Sequence, residues 1–359
     1  MKSANKNLHA AKVAKNDEFY TQLSDIENEL RHYKPHFKDK VVLCNCDDPY
    51  KSEFFKYFFM NFKHLGLKKL IATCYKNQQW DLFSEGECEK AVYIIYEGPK
   101  AEGDDGHMPK IEDIRVRPLE GDGDFRSPEC KAFLELADIV VTNPPFSLFR
   151  EFVSTLMDYN KKFLILGNMN ATTYKEIFPL FKEQKMWYGV SITSGDRKFF
   201  VPDDYELTAS NCGIDENGKK YVRVKGVRWF TNLDVNNAKE PVILTEKYNP
   251  EKYPKYDNYD AINVDKVVDI PMDYMGVMGV PITFLDKWNP NSDSSSDVAT
   301  TNDFEILGMT CRNYSPEYVI KRYTKDEYNN ASDLNGSACI IEKNKLKSVY
   351  GRLLIRRKP

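Results

Sequence analysis

Three absences from this chain exclude several classes of protein. None of its eight cysteines forms a Cys-x-x-Cys pair, and its five histidines show no zinc-ligand spacing with them. No apolar run reaches the roughly 18 residues that a membrane-spanning helix needs, and the polar N-terminal stretch has no signal-peptide pattern. The sequence therefore predicts neither a structural zinc site nor a membrane protein. It favours reduced thiols and a cytoplasmic location.

The chain also lacks an excess of positive charge. Its formal net charge is −3, whereas many nucleic-acid-binding proteins are basic. Only the contacting surface has to be positive, so this value does not exclude a nucleic-acid partner. Lysines and arginines are frequent near both ends, within residues 2–15 and 343–358.

The pattern of apolar runs predicts an α/β fold. With 359 residues, the chain is long enough for one large domain and a smaller one. Buried-strand patterns at 41–44, 70–74, 91–96, 139–142 and 163–166 alternate with helical patterns at 52–62, 128–136 and 147–159. Such alternation predicts a doubly wound, mostly parallel sheet. We expect residues 199–201, 221–225 and 227–231 to form antiparallel strands that close it.

An amphipathic helix is predicted near the start of the chain. Leu23, Ile26 and Leu30 recur at helical spacing. Thr21 or Ser24 is the predicted N-cap, because a hydroxyl accepts hydrogen bonds from the first free N–H groups of a helix.

The most informative stretch follows the strand pattern at 139–142. Its continuation, Asn-Pro-Pro-Phe, cannot extend the strand, because proline lacks a backbone donor and restrains the residue before it. Asn143 and Phe146 are therefore expected at the carboxyl end of a buried strand. Open α/β sheets bind their ligands at that edge.

These residues suit chemistry on an exocyclic aromatic amine. The side-chain carbonyl of Asn143 and the main-chain carbonyl of Pro144 can each accept one N–H bond of the amine, which directs the nitrogen lone pair toward an incoming methyl group. The ring of Phe146 offers a face for a flat base, and such stacking is worth about 1–3 kcal/mol. The alternative interpretation is a strand followed by a Pro-Pro turn and a buried phenylalanine.

Several motifs occur in order along the chain: NDEFYT at 16–21, CNCDDP at 44–49, GDFRS at 123–127 and TNPPFSLF at 142–149. With the stretches at 229–234, 259–264 and 276–285, they make the chain resemble the EcoRI-type adenine-specific DNA methyltransferases. This resemblance covers nearly the whole chain. It implies a Rossmann-like methyltransferase fold, S-adenosylmethionine as methyl donor and N6 of an adenine in double-stranded DNA as acceptor. It also implies base flipping and a bacterial restriction–modification setting.

The resemblance also implies roles for particular residues. The catalytic tetrapeptide falls on Asn143, Pro144, Pro145 and Phe146. Donor-binding roles fall on Phe19, Tyr20, Thr21, Asn45, Cys46, Asp47, Asp48, Asp124, Phe125 and Asn143. Two features depart from methyltransferases in general: no glycine-rich turn follows the first strand, and no acidic residue ends the second strand to hold a ribose. The ribose partner is therefore left unassigned.

Three regions are expected: a donor-contacting segment at 1–40, a catalytic domain at 41–238 and a loop-rich target-recognition lobe at 239–359. The expected partner is duplex DNA, bound by a monomer that is paired in function with a restriction endonuclease without a stable complex. No membrane partner is expected. Candidate base readers in the lobe are Asn249, Asn258, Arg312, Asn313, Lys321 and Arg322.

Two other functions remain open. An Asn-Pro-Pro-aromatic loop also serves protein glutamine N5-methyltransferases, because a glutamine amide is likewise a planar, weak nucleophile. A non-catalytic DNA-binding module could retain the same fold.

Overall fold

The computed structural model describes residues 21–46, 52–75, 91–98, 114–201, 207, 211–235, 238–292, 298–310, 338–342 and 345–358. The chain divides into two compact units. The first comprises Met1–Met169 and Ser194–Leu233, and the second comprises Asn170–Thr193 and Asp234–Pro359. The second unit thus includes a short segment from the middle of the chain as well as the C-terminal region.

The described α-helices and strands are numbered in chain order. The helices are α1 (Leu23–Leu30), α2 (Glu53–Met60), α3 (Phe62–Leu65), α4 (Pro128–Leu136), α5 (Phe149–Asp158) and α6 (Phe178–Lys182). The strands are β1 (Val41–Asn45), β2 (Lys69–Cys74), β3 (Val92–Tyr96), β4 (Arg117–Pro118), β5 (Ile139–Thr142), β6 (Lys162–Asn168), β7 (Trp187–Tyr188), β8 (Asp196–Phe200), β9 (Cys212–Ile214), β10 (Lys220–Lys225), β11 (Val227–Thr231), β12 (Ile262–Asn263), β13 (Met278–Pro281), β14 (Phe304–Met309), β15 (Cys339–Glu342), β16 (Lys345–Ser348) and β17 (Arg352–Arg357).

The first unit is built on a mixed sheet with a parallel centre. Its strands lie in the order β4-β3-β2-β1-β5-β6-β11. The four central strands β2, β1, β5 and β6 pair in parallel, while β3, β4 and β11 are antiparallel to their neighbours. The predicted α/β class is confirmed. Since β2 lies on one side of β1 and β5 on the other, the strand order reverses between β1 and β5, where such folds bind ligands.

Apolar side chains explain why the central strands form. All residues of β1 and β5 are buried, as expected for parallel strands covered on both faces. The aromatic helix α2 is also part of the core, with Phe54, Phe55 and Phe58 at most 1 % exposed. It begins at Ser52, whose hydroxyl accepts hydrogen bonds from the N–H groups of the second and third helical residues.

The start of α1 differs from the prediction. Its N-cap is Gln22, whose side chain makes no capping hydrogen bond. Ser24 lies inside the first turn, and Thr21 is buried before the cap. The predicted caps were therefore wrong, because each hydroxyl lies one or two residues from the position at which a cap acts.

The predicted closing strands serve two different sheets. Val227–Thr231 pairs antiparallel with β6 and extends the large sheet. The other two strand patterns correspond to β8 and β10, which form a separate three-stranded antiparallel sheet with β9. Gly226 connects β10 to β11 at a φ of +71°, which lets the chain change sheets within one residue.

The second unit has its own core. Strands β12, β13, β17 and β14 form a four-stranded sheet, and β15 pairs with β16. The indole N–H of buried Trp288 donates to the main-chain oxygen of Phe304 at 3.1 Å. The ammonium of buried Lys239 donates to the main-chain oxygens of Leu285 and Tyr188, so its charge is solvated by carbonyl groups.

The proposed base readers occupy different environments. Asn258 is 3 % exposed and its Oδ1 accepts a hydrogen bond from the N–H of Cys339 at 2.8 Å. It is therefore a structural residue of the core. Asn249 organises a turn through its main-chain and side-chain oxygens. Arg312, Asn313, Lys321 and Arg322 lie outside the described residues.

No helix in the described part of the chain is long and apolar enough to cross a membrane.

Candidate active site

Besides their parallel pairing, the strands on either side of the switch point are joined by two hydrogen bonds that involve side chains. At their carboxyl ends, the hydroxyl of Thr142 donates to the main-chain oxygen of Asn45. At their amino ends, the N–H of Val41 donates to the carboxylate of Asp138 at 2.8 Å. These bonds hold β1 and β5 in register, so the loops that follow them start from neighbouring points.

The turn after β1 adopts a conformation that is usually reserved for glycine. Cys46 has a φ of +66°, which lies in the left-handed region. Asn45, the residue before it, is 5 % exposed, and its side-chain oxygen is buried with no hydrogen-bond partner among the described residues. The other two residues assigned to this loop, Asp47 and Asp48, lie outside the described part of the chain.

A second loop reaches the same edge of the sheet. Gly123 has a φ of +79°, and a Cβ atom at this position would lie 2.4 Å from the main-chain oxygen of Cys74 and 3.0 Å from the Cα of Tyr75. Only glycine fits so close to the end of β2. The loop therefore places Asp124 beside the carboxyl ends of the parallel strands.

The Asp124 carboxylate is oriented by an arginine. The guanidinium of Arg126 donates to its two oxygens at 2.8 and 2.5 Å, and the N–H of Arg126 donates to Oδ1 at 2.9 Å. Arg126 also contacts Glu151 at 3.3 Å. The hydrogen bond with Asp124 is the main cause that raises the pKa of Arg126 above its usual value, opposed by partial desolvation. The carboxylate thus has a permanent cation beside it.

Phe125 lies in the core. It is 5 % exposed, and its ring meets that of Phe152 on α5 edge to face at 5.0 Å between centroids. Asp124, with 19 % of its side chain exposed, is the more accessible member of the pair. The buried ring of Phe125 packs the loop against α5.

The Asn-Pro-Pro-Phe segment directly follows β5. Pro144 is buried, and Asn143, Pro145 and Phe146 are half-buried. The Oδ1 atom of Asn143 is buried. From Phe146 the chain enters a single 3₁₀ turn that leads into α5. The tetrapeptide therefore lies at the carboxyl edge of the sheet, in the position expected from the sequence.

A ring from the three-stranded sheet β8-β10-β9 supports Phe146. Phe199 on β8 is 2 % exposed, and its ring meets that of Phe146 at 89° with 6.3 Å between centroids. An edge-to-face partner restricts the movement of Phe146. The sheet β8-β10-β9 thus contacts the candidate site through Phe199.

The N-terminal segment is described only from Thr21 onward, so Phe19 and Tyr20 lie outside the described residues. Thr21 is 5 % exposed, and its hydroxyl oxygen is buried without a hydrogen-bond partner among them.

Sequence reasoning missed three residues that organise this site: Thr142, Arg126 and Phe199. Arg126 follows Asp124 by two residues, a spacing at which a side chain can return to a turn carboxylate. Thr142 and Phe199 carried no local signal, because their partners are distant along the chain. Among the described residues, no group of three or more histidine, cysteine or acidic side chains could hold a metal ion.

Comparisons with known proteins show the family of this chain. A family model described as "Adenine-specific methyltransferase EcoRI" matches residues 7–358. The Escherichia coli protein "Type II methyltransferase M.EcoRI" is 54 % identical over 290 residues, which are 80 % of this chain and 87 % of that protein. "Type II methyltransferase M.MpnI" of Mycoplasma pneumoniae is 37 % identical over 335 residues, or 92 % of this chain and 94 % of the relative.

A third relative, "Type II methyltransferase M.MgeORF184P" of Mycoplasma genitalium, is 41 % identical over 318 residues, which cover 84 % of this chain and 92 % of that protein. No solved structure gives a significant match. The family match spans almost the entire sequence, including the NDEFYT, CNCDDP, GDFRS and TNPPF motifs. The chain therefore belongs to the EcoRI family of adenine-specific methyltransferases.

Proposed function

We propose that this methyltransferase transfers a methyl group from S-adenosylmethionine to N6 of a specific adenine in double-stranded DNA. The observation that carries the proposal is the position of Asn143 to Phe146 at the carboxyl end of β5, beside the strand-order switch. By protecting its site, the modification would serve a restriction–modification system. The monomer would act beside a cognate endonuclease without forming a stable complex with it.

Buried oxygens support the proposed donor. The side-chain oxygens of Thr21 and Asn45 lack hydrogen-bond partners among the described residues. An unsatisfied buried acceptor costs about 1–3 kcal/mol, and N–H donors of the methionine part would satisfy it. Asp124 would accept from the adenine amino group of the donor. The sulfonium of bound S-adenosylmethionine supplies an activated methyl group.

The catalytic segment would orient the target amine. Asn143 and the carbonyl of Pro144 would accept its two N–H bonds, which makes the nitrogen more tetrahedral. Because Oδ1 of Asn143 is buried, its side chain has to rotate to present this atom to the amine. Phe146, supported by Phe199, would stack on the base. Orientation of this kind supplies up to about 7–11 kcal/mol of the barrier reduction.

The target adenine would have to leave the helix. Its N6 is paired and stacked within a duplex, out of reach of a donor in a protein pocket. Flipping the nucleotide costs about a few kcal/mol, which stacking on Phe146 would partly offset.

A labelling experiment tests the function. The protein is incubated with donor labelled in its methyl group and either duplex DNA or a protein substrate. We expect the label in N6-methyladenine. Label in a glutamine amide would support a protein methyltransferase instead, and label in neither product would support a non-catalytic DNA-binding module.

The role of Asn143 has its own test. We expect Asn143→Ala to lower transfer by at least about a hundredfold while leaving DNA affinity nearly unchanged, since the amide would hold the reacting amine and not the phosphate backbone. Asn28→Ala, on the exposed face of α1, is the matched control and should retain activity. Wild-type turnover in Asn143→Ala would exclude the assigned role.

A further inference from the structure

The three-stranded sheet β8-β10-β9 carries a positively charged surface on one side. Residues directly opposite one another in antiparallel strands share a face, and the register pairs Phe200 with Tyr221, Lys198 with Arg223 and Asp196 with Lys225. The ring of Phe200 also lies 5.4 Å from the ammonium of Lys219. We define the basic face as Lys198, Phe200, Lys219, Tyr221, Arg223 and Lys225.

The opposite side of this sheet packs toward the candidate site. Phe199 and Val222, which form the intervening pair, are 2 % and 6 % exposed. Phe199 supports the ring of Phe146, and the side-chain amide of Gln22 donates to the main-chain oxygen of Lys198 at 3.2 Å. The basic face therefore points away from the interior, one residue along the strand from the support of Phe146.

The basic face carries four cations, Lys198, Lys219, Arg223 and Lys225. Lys198 lies 3.8 Å from the carboxylate of Asp215, and Lys225 lies opposite Asp196. Lys219 and Arg223 are exposed, and neither makes an ion pair with any described residue. The surface therefore has two cations that form no ion pair within the part of the chain that the structure describes.

Aromatic rings hold these two cations in place. The guanidinium of Arg223 lies 5.5 Å from the ring centre of Tyr221, and Lys219 is placed similarly over Phe200. A ring attracts a cation without cancelling its charge. The arrangement thus presents positive charge to an external anion, and each of these two cations has an aromatic ring as its neighbour.

We propose that the basic face binds the phosphate backbone of duplex DNA next to the nucleotide held at Phe146. This inference rests on the proposed function and names a binding surface for its substrate. Successive residues of a strand are about 3.3 Å apart, so Lys198 and Phe200 flank the residue that supports Phe146. A backbone that delivers a base to Phe146 passes within reach of this surface, and its charge complements that of Lys219 and Arg223.

The test is the salt dependence of DNA binding. Each phosphate contact adds about 0.9 to the slope of log affinity against log salt concentration. We expect the double variant Lys219→Gln, Arg223→Gln to have a slope shallower by about 1.8 and a higher KM for DNA. Its kcat at saturating DNA and its affinity for S-adenosylmethionine should equal those of the wild type.

Two further variants make the result specific. Lys38→Gln, Lys68→Gln removes the same charge from exposed lysines that precede β1 and β2, near the amino ends of these strands, and should leave the slope unchanged. Lys219→Arg, Arg223→Lys retains the charge and should retain the slope. An unchanged slope in the Gln variant, or an equal change in the Lys38 and Lys68 control, would overturn the inference.

Failure of this inference can be distinguished from failure of the proposed function. If the wild type methylates adenine in DNA but the Gln variant keeps the wild-type slope, the function holds and the basic face is not the contact. If the Gln variant shows the expected shallower slope but the wild type transfers no methyl group, the surface assignment holds and the proposed function fails.

Discussion

At the residue scale, Cys46 shows how the loop after β1 can turn without glycine. Methyltransferases usually turn after the first strand with a glycine-rich segment, but here a cysteine takes a φ of +66°. A left-handed conformation costs a residue with a side chain about 1–2 kcal/mol. The interactions around Asn45, including the bond from Thr142 to its main-chain oxygen, have to offset this cost.

Substitution of Cys46 tests that backbone conformation. Cys46→Gly removes the strain but adds freedom to the unfolded chain, so we expect the free energy of unfolding to stay the same or rise by up to about 1 kcal/mol. Cys46→Val should lower it by about 1–2 kcal/mol, because a β-branched residue resists this region. Urea unfolding measures both values. If the valine variant is as stable as the wild type, the turn does not hold this conformation in solution.

Also at the residue scale, the Arg126–Asp124 pair orients the Asp124 carboxylate and adds little to the stability of the fold. Arg126 has 44 % of its side chain exposed, and exposed pairs contribute at most about 1 kcal/mol. Its two parallel hydrogen bonds nevertheless restrict the carboxylate to one orientation. This restriction lowers the entropy that a ligand would lose on binding there.

At the element scale, the site depends on how closely the loop at 121–125 approaches the end of β2. The missing Cβ of Gly123 leaves room for the main-chain oxygen of Cys74. Phe125, in the same loop, packs against Phe152 of α5. The loop is therefore held between a strand end and a helix, and Asp124 depends on both.

An alanine at Gly123 should disturb this arrangement. A Cβ there would lie 2.4 Å from the oxygen of Cys74, so the loop has to move away from β2. We expect Gly123→Ala to weaken binding of S-adenosylmethionine by more than about tenfold, since a displacement of about 1 Å in a site can cost a hundredfold. Calorimetric titration with the donor measures this.

The same loop contains its own control for this substitution. A Cβ at Gly121 meets no atom within 4 Å, so Gly121→Ala should bind the donor like the wild type. Equal affinities of the two alanine variants would show that the contact with Cys74 does not position the donor site.

At the scale of the whole molecule, stability depends on pH wherever a buried group has a different pKa in the folded and the unfolded chain. In the second unit, Cys339 is fully buried, and its N–H donates to the side-chain oxygen of buried Asn258 at 2.8 Å. Burial, and then the Asp257 carboxylate, raises the pKa of its thiol from 9.0 to about 11. The folded protein therefore retains a proton that the unfolded chain releases at lower pH.

This difference predicts a loss of stability in alkali. The contribution of Cys339 is complete below pH 9 and disappears as the pH rises toward 11, because ionisation then favours the unfolded chain. We expect the free energy of unfolding to fall by about 2 kcal/mol more in the wild type than in Cys339→Ala over this interval. Urea unfolding at pH 8, 9, 10 and about 11 measures it. Parallel curves for the two proteins would contradict the assignment.

The sequence predicts a feature well when the residues that determine it lie close together in the chain. The strand at 139–142 and the helix at 128–136 were predicted with their exact bounds, because apolar runs and proline signals act over a few residues. The N-cap of α1 was missed, because the helix begins after Gln22, whose side chain makes no capping hydrogen bond and carries no capping signal in the sequence. The sheet assignment of β8 and β10 was missed because pairing between antiparallel strands does not reveal which sheet a hairpin joins.

The sequence by itself determined the α/β class, most of the order of strands and helices up to residue 231, and the placement of an Asn-Pro-Pro-Phe segment at a strand end, since all depend on short-range periodicity and backbone restrictions. Its motifs also determined the family. Only the tertiary structure decided that β1 and β5 flank the switch point, that Gly123 brings Asp124 to the end of β2, and that Phe199 supports Phe146. These relations join residues far apart in the chain, and the packing of the whole unit selects them.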